Sequence, residues 1–185
     1  MSQMRILCVG LLLTACAGDR EISVTRVFPF SADVVYETAM ARFGDAHRIS
    51  PHMFNVRYLD GAEAPAVGVQ REVWTTEDGD SFMHEELLTV DPENRYIQIA
   101  IIYAEKVPVN TDESVVESTV TPIDEETSSW TTNMLLRTRP AFLGTFAEGG
   151  VQSDIEDMLI GLEHHILTGE DITPERFEQI EADYR

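Results

Sequence analysis

Six short segments rich in β-branched and aromatic residues follow one another at about 53–60, 67–77, 80–91, 95–105, 113–123 and 128–139. The breaks between them include Asp60-Gly61, Asp78-Gly79, Asp91-Pro92-Glu93-Asn94 and Asp124-Glu125. These are turn residues, and connections so short make hairpins, so the sheet is expected to be mostly antiparallel. A further strand over 21–28 precedes them and ends at Pro29-Phe30-Ser31. Ser31 is placed to cap a helix at about 32–43, with Val35, Ala39 and Met40 on one face. Residues 44–52 read as a short second helix or a loop.

After the last strand, 140–150 read as a loop closed by Gly149-Gly150, and a helix is expected over 151–167. Ser153 and Glu156 fit a capping box, and Thr168-Gly169 a stop. Its apolar residues Val151, Ile155, Met158, Leu159, Leu162 and Ile166 recur at helical spacing. A sheet with one apolar face must cover it, and this helix has the stripe to do so. The expected fold is therefore α+β: a curved seven-stranded antiparallel sheet gripping a long C-terminal helix. One or two short helices follow its first strand. Residues 169–185 read as an acidic helical tail, an appendage opened by Thr173-Pro174-Glu175, with Phe177, Ile180 and Tyr184 on one side.

The chain has 33 acidic and 13 basic side chains, a formal net charge of −20. Nucleic acid and anionic membrane surfaces are repelled by such a surface, and no basic patch offsets it. The acids at 77–80, 124–126 and in the tail read as solvated turns and solubility.

The first residues are a leader. Ile6 to Leu13 is an apolar run too short to span a bilayer but suited to a signal peptide. It leads into Leu13-Thr14-Ala15-Cys16, which resembles the bacterial lipobox. That resemblance implies a signal peptide at 1–15, lipid on Cys16, a tether at 16–20 and a bacterial cell-envelope location at a membrane. Ala17 after the cysteine favours the outer membrane by the same resemblance. Ala15-Cys16-Ala17 also satisfies the small-x-small rule of ordinary secretion, and a misassigned start is a third reading. With Cys8 in the leader, a mature chain would hold one cysteine and no internal disulfide.

The order of elements is similar to the START-like, or helix-grip, superfamily that includes polyketide cyclase/dehydrase-type and pollen-allergen-type proteins. Four stretches carry the resemblance: Val27-Phe28-Pro29-Phe30-Ser31-Ala32-Asp33-Val34-Val35-Tyr36; Gly68-Val69-Gln70-Arg71; Glu86-Leu87-Leu88-Thr89-Val90-Asp91 before Tyr96; and Val120-Thr121-Pro122 with Ser129-Trp130-Thr131. They span a domain of about 21–168. Where the family often has tryptophan-proline, this chain has Ser50-Pro51-His52. The resemblance implies a cavity between sheet and helix that holds a sterol, lipid, polyketide or other apolar molecule. It predicts a cavity better than a reaction.

Strand alternation selects the side chains expected to face that cavity. They are Val69, Arg71 and Val73; Phe82, His84 and Glu86, in phase with Leu88 and Val90; Ile97, Ile99, Ile101 and Tyr103; Val116 and Ser118; and Trp130 and Met134, in phase with Thr132 and Leu136. The helix adds Ile155, Met158, Leu159 and Leu162. Arg71, His84 and Glu86 are the one candidate catalytic constellation. A carboxylate or imidazole serves as acid or base, and a guanidinium neutralises an oxyanion. The competing readings are a structural Arg71–Glu86 pair, or a one-residue bulge that turns all three outward.

No GxSxG, P-loop, HExxH or dinucleotide fingerprint occurs, so no cofactor is expected. The turn at 77–80 lacks the calcium-loop pattern. His164 and His165 are adjacent on a helix, point about 100° apart, and read as balancing its dipole rather than holding metal. His47 and His52 read as loop residues without a partner cluster. Three functions remain open: an envelope module binding a small apolar ligand, a cyclase/dehydrase-like enzyme using the same cavity, and an interaction protein with a filled core and an exposed Phe177, Ile180 and Tyr184 patch.

Overall fold

The computed structural model describes residues 19–185. The leader, Cys8 and Cys16 lie outside the described residues. Seven strands form one sheet: β1 (Asp19–Phe28), β2 (Asn55–Tyr58), β3 (Gln70–Trp74), β4 (Phe82–Asp91), β5 (Tyr96–Glu105), β6 (Val115–Pro122) and β7 (Ser128–Arg137). Their order is β1-β7-β6-β5-β4-β3-β2 with every neighbouring pair antiparallel, as the hairpin spacing predicts. β1 starts at Asp19, so the last two residues of the expected tether belong to the sheet. Helix α1 (Ala32–Ala41) and a 3-10 turn (Phe43–Arg48) lead from β1 to β2.

The covering helix α2 spans Gly144–Thr168 and starts seven residues earlier than expected. Gly149 and Gly150 lie inside it, and Ser153 is an interior residue rather than a cap. Each glycine costs about 1 kcal/mol against alanine in a helix. Tertiary contacts outweigh that cost: Ala147 and Val151 pack on the core, and Arg20 of β1 bonds Thr145 Oγ1 at 2.6 Å and approaches Glu148 at 3.7 Å. At the other end Gly169 adopts a φ of 74° and closes on the His165 carbonyl.

The core lies between the sheet and α2. Ile22, Val24, Trp130, Met134 and Leu136 meet Leu159 and Leu162 there, with Phe28 and Val35 beneath α1. Helix α3 (Pro174–Tyr184) corrects the reading of the tail as an appendage with an apolar patch in water. Phe177 and Ile180 are buried against Ile160 and Ile172, with Tyr184 packed beside them. Polar ties complete the docking. His164 bonds Tyr184 Oη at 3.0 Å, Arg48 grips Asp171 at 2.9 Å, and Arg185 reaches Asp157 at 2.5 Å. His165 Nε2 faces the Arg42 guanidinium, which can only donate, so Nδ1 carries the proton and donates to the Glu170 carbonyl at 2.7 Å.

One close approach fixes where α2 sits. A Cβ on Gly161 would lie 2.3 Å from the Ile49 carbonyl oxygen, so only glycine lets the helix meet the chain leaving the 3-10 turn. Gly161→Ala is expected to cost about 1–3 kcal/mol through overpacking. For a chain of this length that lowers the thermal midpoint by about 2–4 °C per kcal/mol, read by circular dichroism. An unchanged midpoint would mean that helix and turn are not in contact.

Candidate functional site

A cavity of about 390 Å³ lies between α2 and the concave face of the sheet. β5 contributes Ile97, Ile99 and Ile101, β6 contributes Val116 and Ser118, and β7 contributes Trp130, Thr132, Met134 and Leu136. Arg71 and Val73 enter from β3, and Val151, Ile155, Met158 and Leu162 from α2. All but Thr132, Leu136 and Val151 are ligand contacts expected from the sequence, and those three lie on faces that strand and helix periodicity turn inward. The alternation of β3, β5, β6 and β7 and the helical stripe thus carry over into the cavity wall.

β4 does not follow the expected phase. Leu87 pairs with Ile99 and Thr89 with Gln98, which leaves Leu88 as an extra residue on β4. A bulge shifts the alternation by one residue. Val90 stays on the core side, but upstream of the bulge Met83, Glu85 and Leu87 face inward. Phe82, His84 and Glu86 therefore point to the outer face. His84, Phe82 and Tyr103 form a cluster of tilted rings, with the His84 centroid 5.5 and 5.2 Å from the other two, and His84 Nε2 lies 3.2 Å from Glu72. Burial pushes the Glu72 carboxyl up, but bonds from Trp74, His84 and Arg57 outweigh that and hold it below its ordinary value. Glu86 accepts from Gln70 at 2.8 Å.

A second irregularity explains Tyr103. His84 pairs with Tyr103 and Glu85 with Ile101, so Ile102 is extra on β5 and Tyr103 turns outward, where its hydroxyl meets Glu105 at 3.0 Å. Val69 precedes β3 and is absent from the wall. Leu159 is fully buried, but it borders a separate groove between β1, α2 and the end of α3. Arg71, His84 and Glu86 thus do not converge, and the acid–base constellation expected from them is corrected.

The partner of Arg71 is Glu85, not Glu86. Nε and one terminal nitrogen of Arg71 lie 2.7 Å from the same Glu85 oxygen, and the other terminal nitrogen donates to the Phe43 carbonyl at 2.6 Å. The guanidinium stacks on the Phe43 ring at 3.8 Å, and both charged groups are buried. A second polar group inside is also internally satisfied. Trp130 Nε1 donates to Thr132 Oγ1 at 2.8 Å, and Ser118 shares a bond with Thr132 at 3.0 Å. Neither cluster leaves a charge seeking a partner, and the wall between them is aliphatic and thioether, with Met53, Met83, Met134 and Met158 supplying adaptable surface.

The lining residues most open to solvent are His52, Phe54 and Asp154, which mark the opening. His52, expected to lack partners, bonds the buried Asp157 at 2.8 Å and lies 3.6 Å from Asp154. Partial desolvation at the cavity rim raises the Asp154 carboxyl above its ordinary value, His52 opposes this, and the nearby Asp157 charge adds to the rise. His47 is also partnered, accepting from the Val56 amide at 3.2 Å. Sequence reasoning missed His52, Phe54 and Glu85 as wall residues. The first two sit in an irregular segment with no period, and the third is masked by the Leu88 bulge.

A curved antiparallel sheet that closes on one long helix around an apolar cavity defines a helix-grip domain. Residues 19–166 match the family described as polyketide cyclase / dehydrase and lipid transport, and the chain belongs to that family. Among solved structures, Ara h 8.0201 is similar over 82% of this chain and 99% of its own, at 13% identity and a TM-score of 0.68. Norcoclaurine synthase from Thalictrum flavum, solved with dopamine and hydroxybenzaldehyde, matches over 90% and 97% at 14% identity and a TM-score of 0.63. The di-domain ARO/CYC protein BexL matches over 80% of this chain and 46% of its own, at 20% identity and a TM-score of 0.62. These likenesses establish the shared fold. No curated protein matches the chain in sequence. The fold family typically binds small hydrophobic ligands.

Two outcomes test the site. Removing one member of a buried ion pair strands the other, which costs about 3–5 kcal/mol, whereas replacing both with apolar residues is often near neutral. Arg71→Met and Glu85→Leu are each expected to lower the urea midpoint strongly, the double variant to recover most of it, and Glu86→Gln to change little. Equal loss from Glu86→Gln and Glu85→Leu would contradict the register. For Asp154, a folded-state value above the unfolded one means that its contribution to stability is present only while it is protonated and is lost as pH rises through the folded value. Asp154→Asn should therefore stabilise the protein at neutral pH, with the difference closing below about pH 4. Urea unfolding at both pH values checks this, and a difference that grows on acidification would contradict it.

Proposed function

We propose that this chain is a lipid-anchored protein of the bacterial cell envelope that holds a small apolar molecule, for carriage, sensing or sequestration. The observation that carries the ligand reading is the open cavity of about 390 Å³. That volume falls in the roughly 300–1,000 Å³ range of small-molecule sites. Its aliphatic and methionine wall favours a hydrocarbon body, and its interior polar groups are occupied with one another. A single polar end fits best at the opening, beside His52 and Asp154. The envelope location is supported by Leu13-Thr14-Ala15-Cys16, which places a lipid-accepting cysteine three residues before β1. Among the described residues no helix is long and apolar enough to cross a membrane.

A second reading, acid–base chemistry on the bound molecule, draws on one observation. His52 and Asp154 share the opening, and Asp154 is shifted toward the range of a working acid. The interaction-protein reading has lost its support, because the cavity is open and Phe177 and Ile180 are buried.

Native mass spectrometry of the chain purified from an envelope fraction tests the proposal. The expected result is a protein beginning at Cys16 with added diacylglycerol, carrying a small apolar molecule that dissociates on unfolding. Val116→Phe, which fills the cavity from β6, should weaken that complex by about tenfold or more, equivalent to about 1.4 kcal/mol. A chain that carries nothing and takes up no apolar probe, with Val116→Phe indistinguishable from the parent, would defeat the ligand reading. A mass without lipid would defeat the anchor alone.

A further inference from the structure

We propose that Phe142 and Phe146 form a tip that enters a zwitterionic bilayer surface and sets the cavity opening beside it, an inference that rests on the lipid-anchor reading above. Phe146 is 80% exposed, the most exposed large apolar side chain among the described residues, and Phe142 is 64% exposed. Both lie on helical backbone, Phe142 in the turn Ala141–Leu143 and Phe146 in the first turn of α2. Exposed phenylalanines on a helical segment supply the kind of apolar face that enters the headgroup–acyl boundary of a bilayer.

The position of the anchor selects the bilayer as the occupant. β1 begins opposite Arg137, at the end of β7 from which the chain passes into this turn. Arg20 then holds β1 to the start of α2 through Thr145 and Glu148. Cys16 lies three residues before Asp19, a reach of at most about 10 Å. A lipid on Cys16 therefore enters the membrane beside the two rings, and no long tether holds the domain away from it. From Phe146 to Asp154 at the cavity opening is eight residues of α2, or about 12 Å. Val107 and Val109 of the cavity wall are joined to the same segment, since Val109 bridges Thr138 and the Arg139 amide bonds the Pro108 carbonyl at 3.1 Å.

This end of the sheet also carries acids. Glu77 to Asp80 lie in the β3–β4 turn, and Glu113 pairs with Arg137. The surface it fits is therefore zwitterionic rather than anionic, with exposed Arg139 available to lipid phosphate.

The test uses the chain as isolated from the envelope, inserted in phosphatidylcholine vesicles with brominated acyl chains. Phe146→Trp places a reporter at the tip. Ile123→Trp places one at an exposed turn at the far end of β7, about 33 Å away along the strand. After subtraction of the parent signal from Trp74 and Trp130, the Phe146→Trp emission should shift to the blue and lose most of its intensity, while that of Ile123→Trp should not. Flotation with equal emission from the two variants overturns the tip and leaves the anchor standing. Failure to float overturns both. Loss of a bound apolar molecule with quenching intact would refute only the ligand reading.

Discussion

The structure depends on α2 being held at one end and lifted at the other. Gly161 brings the helix backbone against the Ile49 carbonyl, and Leu159 and Leu162 close the core around that contact. Toward its N-terminus the same helix presents Val151, Ile155 and Met158 to the cavity. Native interiors are close-packed, so an apolar space of this size persists only where the elements around it are prevented from collapsing. Four features prevent it here: the close approach at Gly161, the tie from Arg20 to Thr145, the curvature added by bulges in β4 and β5, and the Arg71–Glu85 pair wedged against Phe43.

That pair also shapes what can enter. A buried guanidinium satisfied by a carboxylate, a carbonyl and an aromatic face is a structural post rather than a receptor for an anionic ligand. The Trp130–Thr132–Ser118 chain is likewise closed on itself. Polar side chains open to solvent are consequently concentrated at the opening, where His52 and Asp154 are exposed. The interior itself is lined mostly by apolar side chains.

Much of this was legible in the sequence. Turn residues at 60–61, 78–79, 91–94 and 124–125 delimit the hairpins, and the period of the helix stripe identifies the cover. What the sequence concealed follows from alternation being a count. One uncounted residue, Leu88, reverses every assignment from Phe82 to Glu86, and Ile102 does the same to Tyr103. A bulge competes with the candidate site in any reading by alternation, but nothing in Leu87-Leu88-Thr89 marks where an extra residue falls. Gly149-Gly150 reads as a break because local propensity cannot register Ala147 and Val151 packing on the core. His52 and Phe54 come from an irregular segment, whose direction is set by the elements it touches rather than by a period. The burial of Phe177 and Ile180 depends on Ile160, on a face of α2 opposite the cavity, which the stripe facing the sheet does not reveal.

Sheet and helix must enclose usable apolar space if any guest is to bind there. A crystal structure under xenon pressure tests it most directly, because xenon reports dry apolar voids without needing the right ligand. Xenon is expected among Ile99, Val116, Met134 and Met158. Side chains from β6, β7 and α2 meeting across the interior, with no xenon between them, would contradict it.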